Sequence, residues 1–351
     1  MTTIATTFET ISEVYKHPNA DTLDIARLAA LPEWSFVTLH KQFKVGDKAL
    51  YIQIDSVLPD DLIAKIGLTG KLAGSLKNRV KTVELRGQIS QGICVNPEAV
   101  FTDIPMPVDT SDGVDVSALL NIVKYDPPLK PCQNGMLVPF PPMIHHYDIQ
   151  GTERFNDVVD FMMDLPCFVT EKVEGSHIAI QRTVDGHLNV CMRNNMIVPD
   201  GINENMYYRG MRLAGVPETL ESFSKLHPGK TVTLRGELTG PGVEDNIYKF
   251  KEFDVYAFEL IVEQTSIDKS IFESFMATTK TKVSPIECSG KTLREYLNGR
   301  TIPEASNGYS MLNPAVRREG IVIQTLKQTM HPTFGRVILK KHSPLYLAKK
   351  K

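Results

Sequence analysis

Short runs of alternating apolar and polar residues dominate the first 120 residues of the chain. The segment WSFVTLHKQFKVGDKALYIQIDSVLP contains one run at Phe36 to Leu39 and another at Ala49 to Ile54, with a turn at Gly46 and Asp47 between them. In NRVKTVELRGQISQGICV, a further pair of strands is interrupted at Gly87. Alternation with a period of two is typical of half-buried strands, and several short strands at this spacing predict a small β-barrel.

The second half of the chain mixes helical and strand patterns. A hairpin is predicted in HIAIQRTVDGHLNVCMRNN, with its turn at Asp185 and Gly186. Apolar residues at helical spacing predict helices in TERFNDVVDFMMD, ENMYYRGMRLAG, SIFESFMATTK and KTLREYLNGR. Strands are predicted in TVTLRGEL, FDVYAFELIV, EGIVIQTL and GRVILKK. The predicted fold class is therefore α+β, with a largely antiparallel sheet in the second domain.

A proline-rich stretch lies between these two patterns. It contains YDPPLKPCQNG and VPFPPM, between Tyr125 and Pro142. Proline continues neither a helix nor a central strand, so this stretch is the best candidate for an interdomain connection. We expect an N-terminal domain in residues 1–125, a linker and lead-in in 126–150, and a second domain in 151–351. The alternative is a long surface loop inside one domain.

Composition and charge exclude several classes of protein. The chain has 351 residues, of which 42% are hydrophobic and 23% charged, which argues against extended disorder. Its five cysteines are scattered and never form a CxxC pair, so neither a disulfide scaffold nor a structural zinc site is expected. With no signal peptide and no long apolar span in the sequence, we expect a soluble, cytoplasmic protein that binds no membrane.

Lys172 is unusual in the strand that contains it. The segment EKVEGSHIAI follows the apolar Phe168 and Val169 and leads into Ile178 and Ile180. Lysine is rarely buried without a partner, so Lys172 is either a solvated edge residue or held there for its chemistry. A lysine amine is a nucleophile only when neutral, and its pKa falls through desolvation or nearby positive charge.

The Lys-x-x-Gly spacing at Lys172 is a weak signal alone, but an ordered set of motifs follows it. The set comprises Arg193 in CMRNN, Glu237 in LRGELTG, Phe258 in VYAFEL, Glu319 in REGIVI and Lys340 in VILKKHS. In this order it resembles the covalent nucleotidyltransferase superfamily of polynucleotide ligases and RNA capping enzymes.

That resemblance implies a role for each residue of the set. Lys172 would attack the α-phosphorus of ATP and become lysyl-AMP, with Lys340 and Arg193 as further catalytic groups. Magnesium or manganese would be held by Glu174, Glu237 and Glu319. The nucleotide would be bound by Glu171, Lys172, Gly175, Arg193, Glu237, Phe258, Glu319 and Lys340.

Individual residues of the set also have other interpretations. Phe258 could belong only to the core, with Tyr256 as the stacking ring on the same strand face. Glu237 could instead form a local salt bridge with Arg235. Lys340 and Lys341 are adjacent and point to opposite strand faces, and we assign Lys340 to the pocket.

The two ends of the chain indicate one group within the superfamily. HPNADTLDIARL, GDKALYIQIDSVLP and ELRGQISQGI resemble the N-terminal OB domain of nick-sealing, ATP-dependent RNA ligases. Eleven residues follow Lys340, too few for the C-terminal OB domain of DNA ligases and capping enzymes. Where relatives usually have Lys-Thr-Asp, this chain has His146, Tyr147 and Asp148, so that the first two residues differ and the aspartate is shared.

A basic stretch predicts where the first domain contacts RNA. Residues 71 to 91 have a local charge of +4, and the candidate RNA-binding residues there are Lys77, Arg79, Lys81 and Arg86. We expect a monomeric RNA-repair ligase that joins 3′-hydroxyl and 5′-phosphate ends, with a nicked duplex as the expected substrate and a viral source left open. The alternatives are a DNA ligase and a non-catalytic RNA-binding protein with a ligase-like fold.

Overall fold

The computed structural model describes residues 5–126, 135–201 and 205–349. Contacts divide the chain into two units: Met1–Pro128 with Pro344–Lys351 form the first, and Leu129–Ser343 form the second. Part of the proline-rich stretch, residues 127–134, lies outside the described residues.

The first unit is built mainly from short strands. Its elements up to residue 126 are β1 (Thr6–Lys16), β2 (Leu23–Leu28), β3 (Leu31–Leu39), β4 (Lys48–Ile52), β5 (Ser56–Val57), α1 (Asp60–Lys65), β6 (Thr82–Leu85), β7 (Gln88–Gln91), β8 (Ile93–Val95), α2 (Pro97–Val100) and β9 (Val123–Lys124). An antiparallel sheet has the strand order β3-β2-β1-β4-β8. The hairpin β6–β7 turns at Arg86 and Gly87, whose positive φ angles of 49° and 86° fit a tight hairpin turn.

Successive side chains along the strands of the first unit belong alternately to two hydrophobic clusters. Phe8 and Leu50 belong to one cluster, whereas Ile11 and Tyr51 belong to the other. Leu50 and Tyr51 are neighbours on β4, so successive side chains enter cores on opposite faces of the sheet.

The second unit contains the remaining strands and most of the helices. In chain order its elements are β10 (Gly135–Val138), β11 (Gln150–Gly151), a 3₁₀ turn (Thr152–Arg154), α3 (Asn156–Met162), β12 (Pro166–Lys172), β13 (Ser176–Arg182), β14 (Leu188–Cys191), β15 (Met196–Pro199), α4 (Met206–Leu213), α5 (Val216–Lys225), β16 (Val232–Thr239), β17 (Asp254–Val262), β18 (Thr265–Ser266), α6 (Lys269–Met276), β19 (Lys282–Val283), β20 (Ile286–Thr292), α7 (Leu293–Leu297), α8 (Ile302–Ser306), β21 (Gly320–Thr325), β22 (Met330–His331), β23 (Gly335–Arg336) and β24 (Ile338–His342). The last helix, α9 (Pro344–Lys349), groups with the first unit.

Two sheets organise the second unit. The large sheet has the order β10-β15-β14-β13-β16-β17-β18, with β19 beside β17, and the small sheet has the order β11-β24-β21-β12-β20. All pairs are antiparallel except β11–β24 and β17–β19. The chain passes from the small sheet to the large one between Lys172, the last residue of β12, and Ser176, the first of β13. Lys172 therefore lies where the two sheets are connected.

Most of the predicted elements of this unit are confirmed. The hairpin β13–β14 turns at Asp185 and Gly186, and α3, α4, α6 and α7 lie in the segments with helical spacing. Helix α5 was not predicted, although Val216, Leu220 and Phe223 recur at helical spacing and are buried. In the described parts of the chain, no helix is both long and apolar enough to cross a membrane.

Lys341 and Lys340 lie on opposite faces of β24 and have different surroundings. The Lys341 side chain is fully buried, and its Nζ lies 3.3 Å from Glu153 Oε1. Lys340 is partly exposed. A buried ammonium is tolerated only with a partner, so the Lys341–Glu153 pair is a structural ion pair.

Lys341→Met should therefore lower the free energy of unfolding by about 3–5 kcal/mol, because it leaves the Glu153 carboxylate inside without a cation. Chemical denaturation followed by circular dichroism measures this loss. The double variant Lys341→Met with Glu153→Gln should recover a large part of it. Equal stability of Lys341→Met and the unaltered protein would contradict a structural role for the pair.

Candidate active site

A cavity opens between the two sheets of the second unit, beside the end of β12. Its lining includes Tyr147, Ile149, Thr170, Glu171, Lys172, Val173, Glu237, Phe258, Ser284, Val322, Gln324 and Lys340. Five predicted site residues, Glu171, Lys172, Glu237, Phe258 and Lys340, are in this set. The fold thus brings together residues that lie up to 169 positions apart in the sequence.

Lys172 contacts the predicted site residue Glu319 directly. Its Nζ lies 2.8 Å from Glu319 Oε2, and both side chains are largely buried. The contact follows from strand register, because Lys172 pairs with Gly320 of β21. A Cβ atom on Gly320 would lie 2.1 Å from the Lys341 carbonyl oxygen, so only glycine lets β21 approach β24 this closely.

The surrounding charges keep Lys172 protonated. Burial alone would lower the pKa of Lys172, but Glu319 and then Glu237 raise it, and the net shift is upward. Desolvation of the strand is therefore not enough to make this amine neutral in the protein without ligands. A change in the charges around Lys172 has to accompany any reaction in which it is the nucleophile.

Glu237 lies on the neighbouring strand β16 and shares this electrostatic environment. Burial raises the pKa of Glu237 to about 8, with Lys172 opposing the shift and Glu319 adding to it. The alternative salt bridge to Arg235 is wrong, because Arg235 Nη1 lies 2.9 Å from Glu259 instead. Two carboxyl groups, of which Glu237 keeps its proton up to an unusually high pH, thus flank the single ammonium of Lys172.

The three predicted metal ligands, Glu174, Glu237 and Glu319, fit a hard divalent cation only in part. Among the described residues, no group of three or more His, Cys, Asp or Glu side chains is arranged to hold a metal. Glu174 Oε1 accepts a hydrogen bond from the Asp245 backbone N–H at 3.0 Å. Mg²⁺ commonly uses one or two carboxylates together with waters and substrate phosphates, so Glu237 and Glu319 suit it.

Lys340 and Arg193 both lie near the carboxylate of Asp148, a residue that was not predicted to belong to the site. Asp148 Oδ1 lies 3.6 Å from Lys340 Nζ and 3.4 Å from Arg193 Nη2. Burial, followed by repulsion from Lys172, lowers the pKa of Lys340. Arg193 is more than half exposed. Asp148 occupies the aspartate position of the Lys-Thr-Asp stretch, and this match was the available signal.

Phe258 lines the cavity because of a local irregularity in β17. The β16–β17 register shifts between Arg235 and Gly236, which leaves Phe258 without a directly opposed residue. The buried Lys269 donates from Nζ to the Phe258 carbonyl oxygen at 2.6 Å. Tyr256 packs instead in a cluster with Val173. Of the two rings considered for stacking, Phe258 is the one in the cavity lining.

Three aromatic rings lie together at this end of the cavity. The Tyr147 ring stacks on Phe258 at 5.2 Å and on His177 at 5.4 Å between centroids. The Arg235 guanidinium lies 4.8 Å from the centre of the Tyr147 ring, and its Nη2 donates to the His145 carbonyl oxygen. Arg235 therefore attaches the segment 145–147 to the large sheet.

A buried charge cluster supports this aromatic group. Burial would raise the pKa of Glu259, but Arg336, Lys269 and Arg235 lower it to about 2. Burial lowers the pKa of Lys269 to about 8, with Glu259 opposing the shift. The cluster adjoins Phe258 through both Glu259 and Lys269.

Glu171 and Gly175, which were also predicted as site residues, make close contacts with other parts of the protein. The Glu171 carboxylate accepts hydrogen bonds from Ser310 Oγ at 2.6 Å and from the Met311 backbone N–H at 2.7 Å. Burial raises its pKa. A Cβ atom on Gly175 would lie 2.5 Å from the Leu238 carbonyl oxygen. Glycine is thus required where the chain crosses from β12 to β13.

The candidate RNA-binding residues belong to the first unit and differ in accessibility. Lys77 and Arg86 are exposed, whereas Lys81 is half-buried. Arg79 Nε donates to Asp55 at 3.1 Å, and its guanidinium lies 3.6 Å from the centre of the Tyr125 ring. Arg79 is therefore engaged within its own unit.

Comparison with protein families gives two matches along the chain. A model described as an OB-fold domain matches residues 5–97. A model described as RNA ligase matches residues 165–342, about half of the chain. A search of curated protein sequences gave no match.

Solved structures of a Naegleria gruberi RNA ligase have the same fold. The structure with pyrophosphate superimposes with a TM-score of 0.78 at 24% identity and covers 99% of both chains. A variant with AMP and manganese gives a TM-score of 0.77 at 24% identity and 98% coverage of both chains. A variant with ATP and manganese gives 0.75 at 24% identity and 98% coverage of both. The predicted fold, an N-terminal OB domain followed by a sheet-rich α+β ligase domain, is confirmed.

Proposed function

This chain belongs to the RNA ligase family, and on that premise we propose that it is an ATP-dependent ligase that joins a 3′-hydroxyl RNA end to a 5′-phosphate end in RNA repair. The supporting observation is the position of Lys172. Its Nζ lies beside Glu319 in a cavity that also contains Glu237 and Lys340. The related ligase structures contain ATP or AMP with manganese, which supports ATP and Mg²⁺ or Mn²⁺ as ligands here.

In the first step, Lys172 Nζ attacks the α-phosphorus of ATP. A nitrogen–phosphorus bond forms, the bond to the pyrophosphate oxygen breaks, and Lys172 becomes lysyl-AMP. Lys172 must first release the proton that Glu319, at 2.8 Å, and Glu237 help it to retain, and this proton would pass to solvent once a cation neutralises those carboxylates. A second proton leaves the nitrogen as the bond to phosphorus forms. Glu237 and Glu319 would hold a divalent cation through their carboxylates, and this cation would neutralise the charge of phosphate oxygens.

Lys340 and Arg193 are the cations assigned to the phosphates. In the protein without ligands, both lie close to Asp148. Phosphate oxygens would compete with this carboxylate for the two side chains. The AMP then moves to the 5′-phosphate of one RNA end, and the 3′-hydroxyl of the other end displaces it to form the phosphodiester.

Lys172→Ala should abolish the covalent attachment of AMP, because no other residue of the cavity is assigned as nucleophile. Incubation with ATP labelled at the α-phosphate, followed by a denaturing gel, measures the adduct. The bond should be acid-labile and stable to base, as expected of a phosphoramidate. Lys291→Ala, an exposed lysine of β20, is the matched control and should label normally. Undiminished labelling of Lys172→Ala would end the nucleophile assignment.

Glu237→Gln and Glu319→Gln should each slow AMP attachment by about 10²–10³-fold, because each removes one negative charge proposed to hold the cation. Single-turnover labelling over a manganese titration measures both the rate and the metal dependence. Glu263→Gln changes an exposed carboxylate outside the cavity and should leave both unchanged. A normal rate and metal dependence in either test variant would remove that residue from the metal site.

Replacing Lys77, Lys81 and Arg86 together by Gln should reduce sealing of a nicked RNA duplex by about tenfold and leave AMP attachment unchanged. The reason is that these cations are proposed to contact RNA phosphates and lie outside the unit that contains the cavity. Gel assays of both steps at several salt concentrations measure the difference. Lys41→Gln with Lys44→Gln alters exposed charge elsewhere in the first unit and serves as the control. Equal loss in both steps would contradict a role limited to RNA contact.

A further inference from the structure

The short segment that follows Lys172 lies between two strands and belongs to neither. Residues 173–175 connect Lys172, at the end of β12, to Ser176, at the start of β13. The strand pairing of the small sheet ends at Lys172, and that of the large sheet begins at Ser176. A buried backbone N–H in such a segment still needs an acceptor. The position of the Lys172 side chain therefore depends on what holds residues 173–175 from outside the two strands.

The hydroxyl group of Tyr248 is one of the groups that hold this segment. The Glu174 backbone N–H donates to Tyr248 Oη at 2.7 Å, and both residues are buried. The loop that contains Tyr248 also binds the Glu174 side chain, because the Asp245 backbone N–H donates to Glu174 Oε1 at 3.0 Å. Glu174 is thus held by one loop through both its main chain and its side chain.

Tyr248 is itself fixed in place. Within its loop, Asn246 donates from Nδ2 to the Phe250 carbonyl oxygen and accepts at Oδ1 from the Phe250 backbone N–H, both at 3.0 Å. The Tyr248 ring packs with Val173 in one hydrophobic cluster, and its centroid lies 5.2 Å from that of the Phe250 ring. A side chain can orient another group only if its own position is fixed, and Tyr248 meets this condition.

A second loop supports Tyr248 and also contacts the strand of Lys172. Asn313 Nδ2 donates to the Tyr248 carbonyl oxygen at 3.2 Å. Three residues earlier in the chain, Ser310 donates from Oγ to the carboxylate of Glu171, the residue before Lys172 on β12. The two loops therefore hold the chain on both sides of Lys172, one residue before it and two residues after it.

We propose that Tyr248 is a positioning residue for the reaction of Lys172. By accepting the hydrogen bond of the Glu174 N–H, its hydroxyl oxygen keeps the lysine amine aligned with the α-phosphorus of the bound nucleotide. The inference rests on the proposed function, since it takes Lys172 to be the nucleophile. Tyr248 is not among the described residues that line the cavity, so it acts through the chain. Attack on phosphorus is sensitive to alignment, because a displacement of about 1 Å can lower a rate by about 100-fold.

Tyr248→Phe keeps the ring and its packing but removes the acceptor of the Glu174 N–H. In single-turnover labelling with ATP, the rate constant of AMP attachment at saturating ATP should fall by about tenfold. The ATP concentration that gives half of the maximal rate should change by less than about threefold, because the groups that line the cavity remain. A tyrosine that only stabilised the fold would lower the midpoint of chemical denaturation in this variant and leave both kinetic parameters unchanged.

Two further variants complete the test. Tyr309→Phe removes the same hydroxyl group from an exposed tyrosine and should leave both parameters unchanged. Asn313→Ala removes the hydrogen bond to the Tyr248 carbonyl oxygen and should lower the rate constant by about threefold. A normal rate constant in folded Tyr248→Phe would overturn the proposal. If Tyr248→Phe does not fold, a normal rate constant in Asn313→Ala has the same meaning.

Failure of the proposed function gives a different result. If the unaltered protein attaches no AMP, lysyl transfer is wrong, and the hold on residues 173–175 is then measured by hydrogen exchange of backbone amides with mass spectrometry. The peptide that contains Glu174 should exchange faster in Tyr248→Phe than in the unaltered protein, because its N–H has lost its acceptor. Equal exchange of this peptide in the two proteins would show that Tyr248 does not hold the segment, and would contradict the proposal even then.

Discussion

The contact between Lys172 and Glu319 is the interaction on which the arrangement of charges in the cavity depends. It joins the last residue of β12 to the residue just before β21, at the point where the chain leaves the small sheet. Buried charges are tolerated only when opposite charges lie close by. Lys340 and Asp148 form a second cation–carboxylate contact nearby, so both lysines that line the cavity lie close to a carboxylate.

A second set of buried charges gives the aromatic end of the cavity its geometry. Glu259 sits among three cations, and two of them also contact the rings or their backbone: Arg235 at Tyr147 and Lys269 at Phe258. Removal of either cation would thus affect both charge balance and ring position. In the proposed mechanism the two clusters would have different roles. The charges around Lys172 would have to rearrange, whereas Glu259 and its cations contact no proposed reacting group.

The set of candidate residues came from the order of motifs in the family resemblance, which grouped Lys172 with Glu237. The period of two along strands added only that Lys340 and Lys341 lie on opposite faces. Ion-pair partners could not be predicted, because they depend on register between strands distant in sequence. The shift in the β16–β17 register pairs Arg235 with Glu259, which no local pattern indicates. Asp148 was missed for the same reason, since its partners lie 45 and 192 residues away.

The protonated state of Lys172 connects stability with reactivity. The carboxylates that stabilise its buried ammonium also raise its pKa, and an ammonium has no lone pair with which to attack phosphorus. The protein without ligands therefore holds its proposed nucleophile in an unreactive form. Cations that arrive with the nucleotide would weaken the hold of Glu237 and Glu319 on that proton. Activation of the amine and binding of the nucleotide would then be coupled, because the carboxyl groups that surround the Lys172 ammonium are the ones proposed to hold the incoming cation.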